Sequence, residues 1–183
     1  YWRPLSLAEE LAEWAGAVGN KTARVAGSER LSYNQLLRAA ESRAAGLLSL
    51  GLRPGQRVLV QLPNRASFVI TLFALFRIGA LPILAMPASG EADVMALCAQ
   101  ADASAYITIG NYQGRDYRPL IKKMAAQPCV RLVMTEDGVD GTLSLDAVQG
   151  ELDKAYPFPA YNETAVLLLS GGTTGTPKLI PRR

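Results

Sequence analysis

The chain has 183 residues, 49% of them apolar, and a formal net charge of +3 from 19 basic and 16 acidic side chains. That length buries a sizeable core within one domain or subdomain, and the small, scattered charge gives no electrostatic basis for binding nucleic acid. The sequence holds no histidine, which excludes any histidine-based triad, dyad or metal cluster from these residues.

Tyr1-Trp2-Arg3-Pro4 has neither a methionine nor a signal-peptide pattern and reads as a trimmed boundary. Ser32 and Gln35 have the spacing of a capping box, so a helix is predicted to start there and run to about Leu50. Leu36, Leu37, Ala40, Ala44, Leu47 and Leu48 form its apolar face, and Gly51 is placed to end it. Arg53-Pro54-Gly55 reads as a turn, and Arg57 to Leu62 as a strand stopped by Pro63.

A second helix is predicted over Ala66 to Ile78, buried on most sides. Its apolar stretch Phe68 to Phe76 is too short to span a bilayer and is closed by Arg77, so no transmembrane helix is expected. Leu81 to Ala85 reads as a strand. Ala88 to Asp93 reads as a turn whose acidic residues suit the start of a helix over Glu91 to Ala101, with no metal site. A strand at Ala105 to Ile109, a helix around Tyr117 to Ala126 and a strand at Val130 to Met134 continue the alternation. Asn111 to Arg118 and Glu136 to Thr142 read as polar loops, and Tyr156-Pro157-Phe158-Pro159-Ala160 as a stiff connector delivering the chain to a last buried strand, Ala165 to Leu169. The series predicts an α/β fold, a parallel or mostly parallel sheet flanked by helices, without internal repeats. Cys98 and Cys129 lie far apart in sequence without partner histidines and read as two buried thiols of a cytoplasmic protein, in preference to a zinc site or a disulfide.

The stretch that carries chemistry is Ser170-Gly171-Gly172-Thr173-Thr174-Gly175-Thr176-Pro177-Lys178. Glycines let main-chain N–H groups converge on an anion, while hydroxyls and one ammonium add donors and charge, so the string reads as a phosphate cradle. It is not a P-loop: Pro177 precedes Lys178, and Lys178-Leu179-Ile180-Pro181 reads as extended backbone where a P-loop would enter a helix. The loop is predicted to join two strands and to hold phosphate by amides, hydroxyls and Lys178 without a helix dipole. A Gly/Thr hairpin turn with no ligand is the plainer alternative. Arg182-Arg183 reads either as a further phosphate contact or as a surface pair.

Leu169 to Arg182, LSGGTTGTPKLIPR, resembles the signature loop of the acyl-adenylate-forming superfamily, which includes acyl-CoA ligases, luciferases and the adenylation enzymes of nonribosomal peptide synthesis. Gly171, where most members have Ser or Thr, and Leu179, where most have Gly, place the resemblance nearest the stand-alone aryl acid-AMP ligases of siderophore biosynthesis. Leu31 to Leu36, with Gln35 where glutamate is commoner, Val60 to Asn64 and Phe73 to Ala80 resemble further family elements that mark the fold.

The resemblance implies an N-terminal part of an adenylation domain, residues 1–183, that ends just after the loop at 170–178. It implies ATP and Mg as cofactors, salicylate or 2,3-dihydroxybenzoate as substrate, and an aryl carrier protein bearing a phosphopantetheine thiol as partner. Ser170, Gly171, Gly172, Thr173, Thr174, Gly175, Thr176 and Lys178 would hold the β- and γ-phosphates, with Lys178 the catalytic residue. The adenine, aryl-acid and magnesium sites of the family lie later in the sequence, so no metal ligand is assigned and this chain alone is expected to be inactive. An aromatic acid-CoA ligase, and a non-catalytic module with a vestigial loop, are the alternatives.

Overall fold

The computed structural model describes residues 3–26, 29–170 and 178–183. Its first helix, α1 (Leu7–Val18), was not anticipated from the sequence. Ser6 Oγ accepts from the Glu9 N–H at 3.3 Å while the Glu9 carboxylate accepts from the Ser6 N–H at 2.7 Å, a capping box, and Ala8, Leu11 and Ala15 form a narrow buried stripe. A hairpin, β1 (Thr22–Ala26) and β2 (Glu29–Ser32), leads into α2 (Tyr33–Ser49). Here the expected box is present: Ser32 Oγ accepts from the Gln35 N–H at 3.2 Å and Gln35 Oε1 from the Ser32 N–H at 2.8 Å. Gly51, at φ +90°, turns the chain so that the Leu52 N–H reaches back to the Leu47 carbonyl at 3.1 Å.

The alternation then proceeds through β3 (Arg57–Val60), α3 (Ala66–Arg77), β4 (Leu81–Leu84), α4 (Glu91–Ala101) and β5 (Ala105–Thr108). A small hairpin, β6 (Asn111–Tyr112) and β7 (Arg115–Asp116), precedes α5 (Arg118–Ala125), β8 (Leu132–Thr135), β9 (Leu143–Ser144) and a 3₁₀ turn at Leu145–Ala147. The chain ends in β10 (Val166–Leu169) and β11 (Leu179–Arg182). The main sheet has seven strands in the order β11-β10-β4-β3-β5-β8-β9, and every pair is parallel except β10 with β11. From β3 the chain steps to β4 on one side and then to β5 on the other, so right-handed crossovers place α3 and α4 on opposite faces.

The central strands are buried on both faces, as parallel strands under two helical layers must be. Val58, Leu59, Ile83, Ala105, Tyr106, Ile107 and Met134 are fully inaccessible, and burial of each large aliphatic side chain is worth about 1.5–3 kcal/mol. Three details differ from the sequence reading. The segment at 111–118, read as a loop, contains the β6–β7 hairpin, because Gln113 and Gly114 take positive φ (50° and 78°) and close a tight turn. The strand expected at 130–134 starts two residues later, at Leu132, with Val130 and Arg131 preceding it. And α3 is half-buried along most of its surface, only Thr71, Ala74, Leu75 and Arg77 being fully covered.

Arg77 shows how the last strand is delivered. From the end of α3, nearly buried at 4% exposure, its Nη2 donates to the Tyr156 carbonyl at 2.7 Å and its Nη1 to the Pro157 carbonyl at 2.9 Å. The guanidinium carbon lies 4.0 Å from the Phe158 ring centre. The connector is thereby clamped to the helix just before the chain turns into β10. Among the described residues no helix is long and apolar enough to cross a membrane.

Candidate phosphate-binding site

The loop at 170–178 grows out of a well-defined neck. Val166 to Leu169 read as a continuous apolar strand, and β10 joins the sheet beside β4 with Leu167 opposite Ile83. The chain returns antiparallel as β11, with Leu169 opposite Leu179 and Val166 opposite Arg182, so the two strands predicted to flank residues 170–178 are present and paired. Pro181 is accommodated because β11 is an edge strand. Two further bonds close the neck: the Ser170 N–H donates to the Lys178 carbonyl and the Lys178 N–H donates to Ser170 Oγ, both at 2.9 Å.

Of the residues expected to hold phosphate, the structure therefore brings Ser170 and Lys178 together. Ser170 Oγ accepts a main-chain bond, which gives the hydroxyl a structural task unseen in the sequence and leaves its proton free to donate. Lys178 is exposed, and no ion pair among the described residues engages it. Gly171, Gly172, Thr173, Thr174, Gly175 and Thr176 lie outside the described residues, as does Pro177. Arg182 and Arg183 are exposed, and the Arg182 carbonyl accepts from the Ala165 N–H at 2.7 Å, tying down the far end of the hairpin.

Beyond the neck, the carboxyl ends of the parallel strands carry a polar network that sequence reading passed over as a fold marker. Tyr106, on β5, donates its hydroxyl to Gln61 Oε1 at 2.6 Å, and Gln61 Nε2 donates to the Met86 carbonyl at 3.1 Å. Arg115 donates to the carbonyls of Pro87 at 2.9 Å and Ser89 at 2.7 Å, and the Tyr117 hydroxyl to that of Pro87 at 2.8 Å. Four side chains from three segments thus fix the turn after β4. With Leu167 opposite Ile83, the parallel register puts Met86 level with Ser170, and Met86 is 70% exposed. The turn is a rigid neighbour of the loop's neck. Burial pushes the Tyr106 phenol well above its usual range, so it stays protonated as the donor this network needs.

A second cluster lies at the same edge. Arg65 donates to Glu136 Oε2 at 3.2 Å and Ser67 Oγ to Glu136 Oε1, joining the start of α3 to the end of β8. An open depression of about 910 Å³ beyond β5 and β8 is lined by Gly110, Asp116, Arg118, Lys122 and Asp137. Its charges are largely engaged already: Asp137 accepts from the Gly110 N–H at 2.7 Å, and Asp116, held below the usual carboxylate range by hydrogen bonds from Arg118, pairs with that arginine. Among the described residues no group of three or more acidic or cysteine side chains is placed to hold a metal ion.

Comparison with known proteins bears on what this neck supports. Residues 11–183 match the model of the AMP-binding enzyme family. The chain is 39% identical over its whole length to pyochelin synthase PchD of Pseudomonas aeruginosa, covering 34% of that protein. It is 36% identical over 99% of its length to the 2,3-dihydroxybenzoate-AMP ligase of Bacillus subtilis, again covering 34%. The apo structure of MbtA from Mycobacterium smegmatis superposes with a TM-score of 0.84 at 36% identity, covering all of this chain and 34% of that one. The chain spans about a third of the length of these relatives. The fold, the hairpin neck and a family match over nearly all of its length together place the chain in the AMP-binding, acyl-adenylate-forming enzyme family.

Proposed function

We propose that this chain is the N-terminal part of an adenylation domain, and that the full-length protein activates salicylate or 2,3-dihydroxybenzoate with ATP and passes the aryl group to a carrier-protein thiol in siderophore synthesis. The observation that carries the reading is the neck. A strand of the central sheet delivers a Gly/Thr-rich segment between Ser170 and an exposed Lys178 that no carboxylate among the described residues neutralises. The relatives that bear aryl acid-AMP ligase names support the substrate class.

In the proposed reaction an oxygen of the aryl carboxylate bonds to the α-phosphorus of ATP. The bond from that phosphorus to the bridging oxygen breaks, and pyrophosphate leaves with the electron pair. Such chemistry is accelerated mainly by alignment and by offsetting charge on phosphate oxygens. Lys178 supplies a positive charge to the departing pyrophosphate, the Ser170 hydroxyl proton a donor, and residues 171–176 their amides and threonine hydroxyls. The neck bonds fix where those donors start and end. Bound Mg would add charge neutralisation on the phosphates; no residue described here is assigned to it. A sulfur nucleophile then displaces AMP from the aryl adenylate. Without the rest of the domain, this chain lacks most of the binding energy for ATP and does not complete the reaction.

The test is aryl acid-dependent ATP–pyrophosphate exchange by the full-length protein, with salicylate, 2,3-dihydroxybenzoate and benzoate in parallel. Exchange with a hydroxylated acid is expected. Exchange with none, or only with unrelated acids, contradicts the reading, and release of an aryl-CoA in preference to an aryl-carrier thioester favours the CoA ligase alternative.

A further inference from the structure

Cys98 and Cys129 stand 31 residues apart in sequence, yet their sulfurs lie 4.0 Å apart. Cys98 is fully buried on α4, and Cys129 is half-buried in the irregular turn between α5 and β8. Bringing the sulfurs to a disulfide length of about 2.05 Å requires a closure of roughly 2 Å. The turn is the element able to supply it, because Cys129 belongs to no helix or strand, whereas Cys98 is fixed in the last half of a helix. These residues serve neither the neck nor the turn after β4, and nothing in the proposed adenylation uses them.

We infer that Cys98 and Cys129 form a modification site: a dithiol that hydrogen peroxide converts to an intramolecular disulfide linking α4 to the α5–β8 turn. Their asymmetry sets the order of steps. The Cys129 thiolate, reachable from solvent, attacks one oxygen of the peroxide, breaks the O–O bond and becomes a sulfenic acid as hydroxide, then water, departs. The Cys98 sulfur displaces the sulfenic oxygen as a second water and loses its proton. Two thiols lose two electrons and two protons, and one peroxide becomes two waters. Cys98 is a poor first nucleophile, its thiol pushed up to about 12 by burial and by the neighbouring Cys129, but it is shielded from solvent with its sulfur 4.0 Å from that of Cys129, placed to attack a sulfenic group formed there. A thiol reductant reverses the bond by exchange.

The experiment treats the full-length protein with hydrogen peroxide, blocks remaining thiols and maps tryptic peptides by mass spectrometry. The expected product links peptide 78–115, which contains Cys98, to peptide 124–131, which contains Cys129, with loss of two hydrogens and no added oxygen. Dithiothreitol should separate the two. Cys129→Ser should leave Cys98 unmodified at the same peroxide dose, and Cys98→Ala should trap Cys129 as sulfenic acid or an over-oxidised product. The inference is overturned if both thiols of the wild-type protein remain alkylatable, if Cys129 gains oxygen while Cys98 stays free, or if the only new bond joins two molecules. Because Cys98→Ala opens a small cavity, the wild-type peptide map and Cys129→Ser decide the question even if that variant fails to fold.

Discussion

Removing the Arg77 side chain should loosen the hairpin that carries the candidate phosphate loop, although Arg77 belongs to the end of α3 and not to the hairpin. Arg77→Ala deletes two charge-assisted hydrogen bonds, to the carbonyls of Tyr156 and Pro157, and a guanidinium stacked on Phe158. Bonds of that kind are worth about 1.5–3 kcal/mol each, and the connector carbonyls can rehydrate, so the lower bound applies to both. The stacking adds about 0.5–1 kcal/mol at a partly exposed ring. The sum is roughly 3.5–4 kcal/mol, which in a domain of this size lowers Tm by about 7–16 °C.

Differential scanning fluorimetry reads the first quantity and hydrogen exchange across 165–169 the second, since β10 is the strand that the clamp introduces. Arg77→Lys keeps the charge but loses the fork, and should recover less than half of the loss. A Tm change below about 2 °C, or unaltered exchange in β10 despite a lower Tm, would refute the view that the clamp positions this strand.

Three other outcomes follow from the same geometry. Ser170→Ala removes the acceptor for the Lys178 N–H and should cost about 0.5–1.5 kcal/mol and reduce aryl-adenylate formation, with Ser170→Thr restoring both; unfolding midpoints and pyrophosphate exchange check it. Tyr106→Phe leaves the buried Gln61 carbonyl oxygen without its donor and should cost about 1–3 kcal/mol by chemical denaturation, whereas adding Gln61→Leu should cost less than the sum of the two single changes. The Cys98 thiol is raised from 9.0 to about 12, first by burial. The unfolded chain ionises this group at lower pH than the folded one and so binds fewer protons between these values. Its contribution is full below pH 9 and falls as pH rises towards 12, by up to about 1.4 kcal/mol per pH unit. Urea midpoints from pH 8 to 11 should decline less steeply in Cys98→Ala than in the wild type, and identical slopes would contradict the assignment.

What was legible in the sequence was whatever local chemistry dictates. Ser32 and Gln35 announced a helix start because a capping box needs only two side chains three positions apart, and the alternation of strands such as Arg57 to Leu62 with helices announced a mostly parallel sheet. The strand–loop–strand setting of the candidate site was legible because Pro177 and Pro181 forbid the helix a P-loop requires. Helix α1 was missed although Ser6 and Glu9 repeat the capping-box signal, because its buried stripe is only Ala8, Leu11 and Ala15. The long-range contacts were out of reach. Gln61 reads as one polar residue at a strand end until β5 sets Tyr106 beside it, Arg77 reads as the end of an apolar run until the connector returns to it some 80 residues later, and the cysteines read as strangers until α4 and the α5–β8 turn pack together.

The most direct test of the account is Lys178→Ala in the full-length protein, assayed by aryl acid-dependent ATP–pyrophosphate exchange beside its Tm. The Lys178 side chain is exposed, and no ion pair among the described residues engages it, so the change should leave Tm within about 2 °C while lowering exchange by about 10²-fold or more. Exchange at the wild-type rate with an unchanged Tm would remove the lysine from pyrophosphate binding, and lost stability with proportionately lost exchange would make it a structural residue of the hairpin.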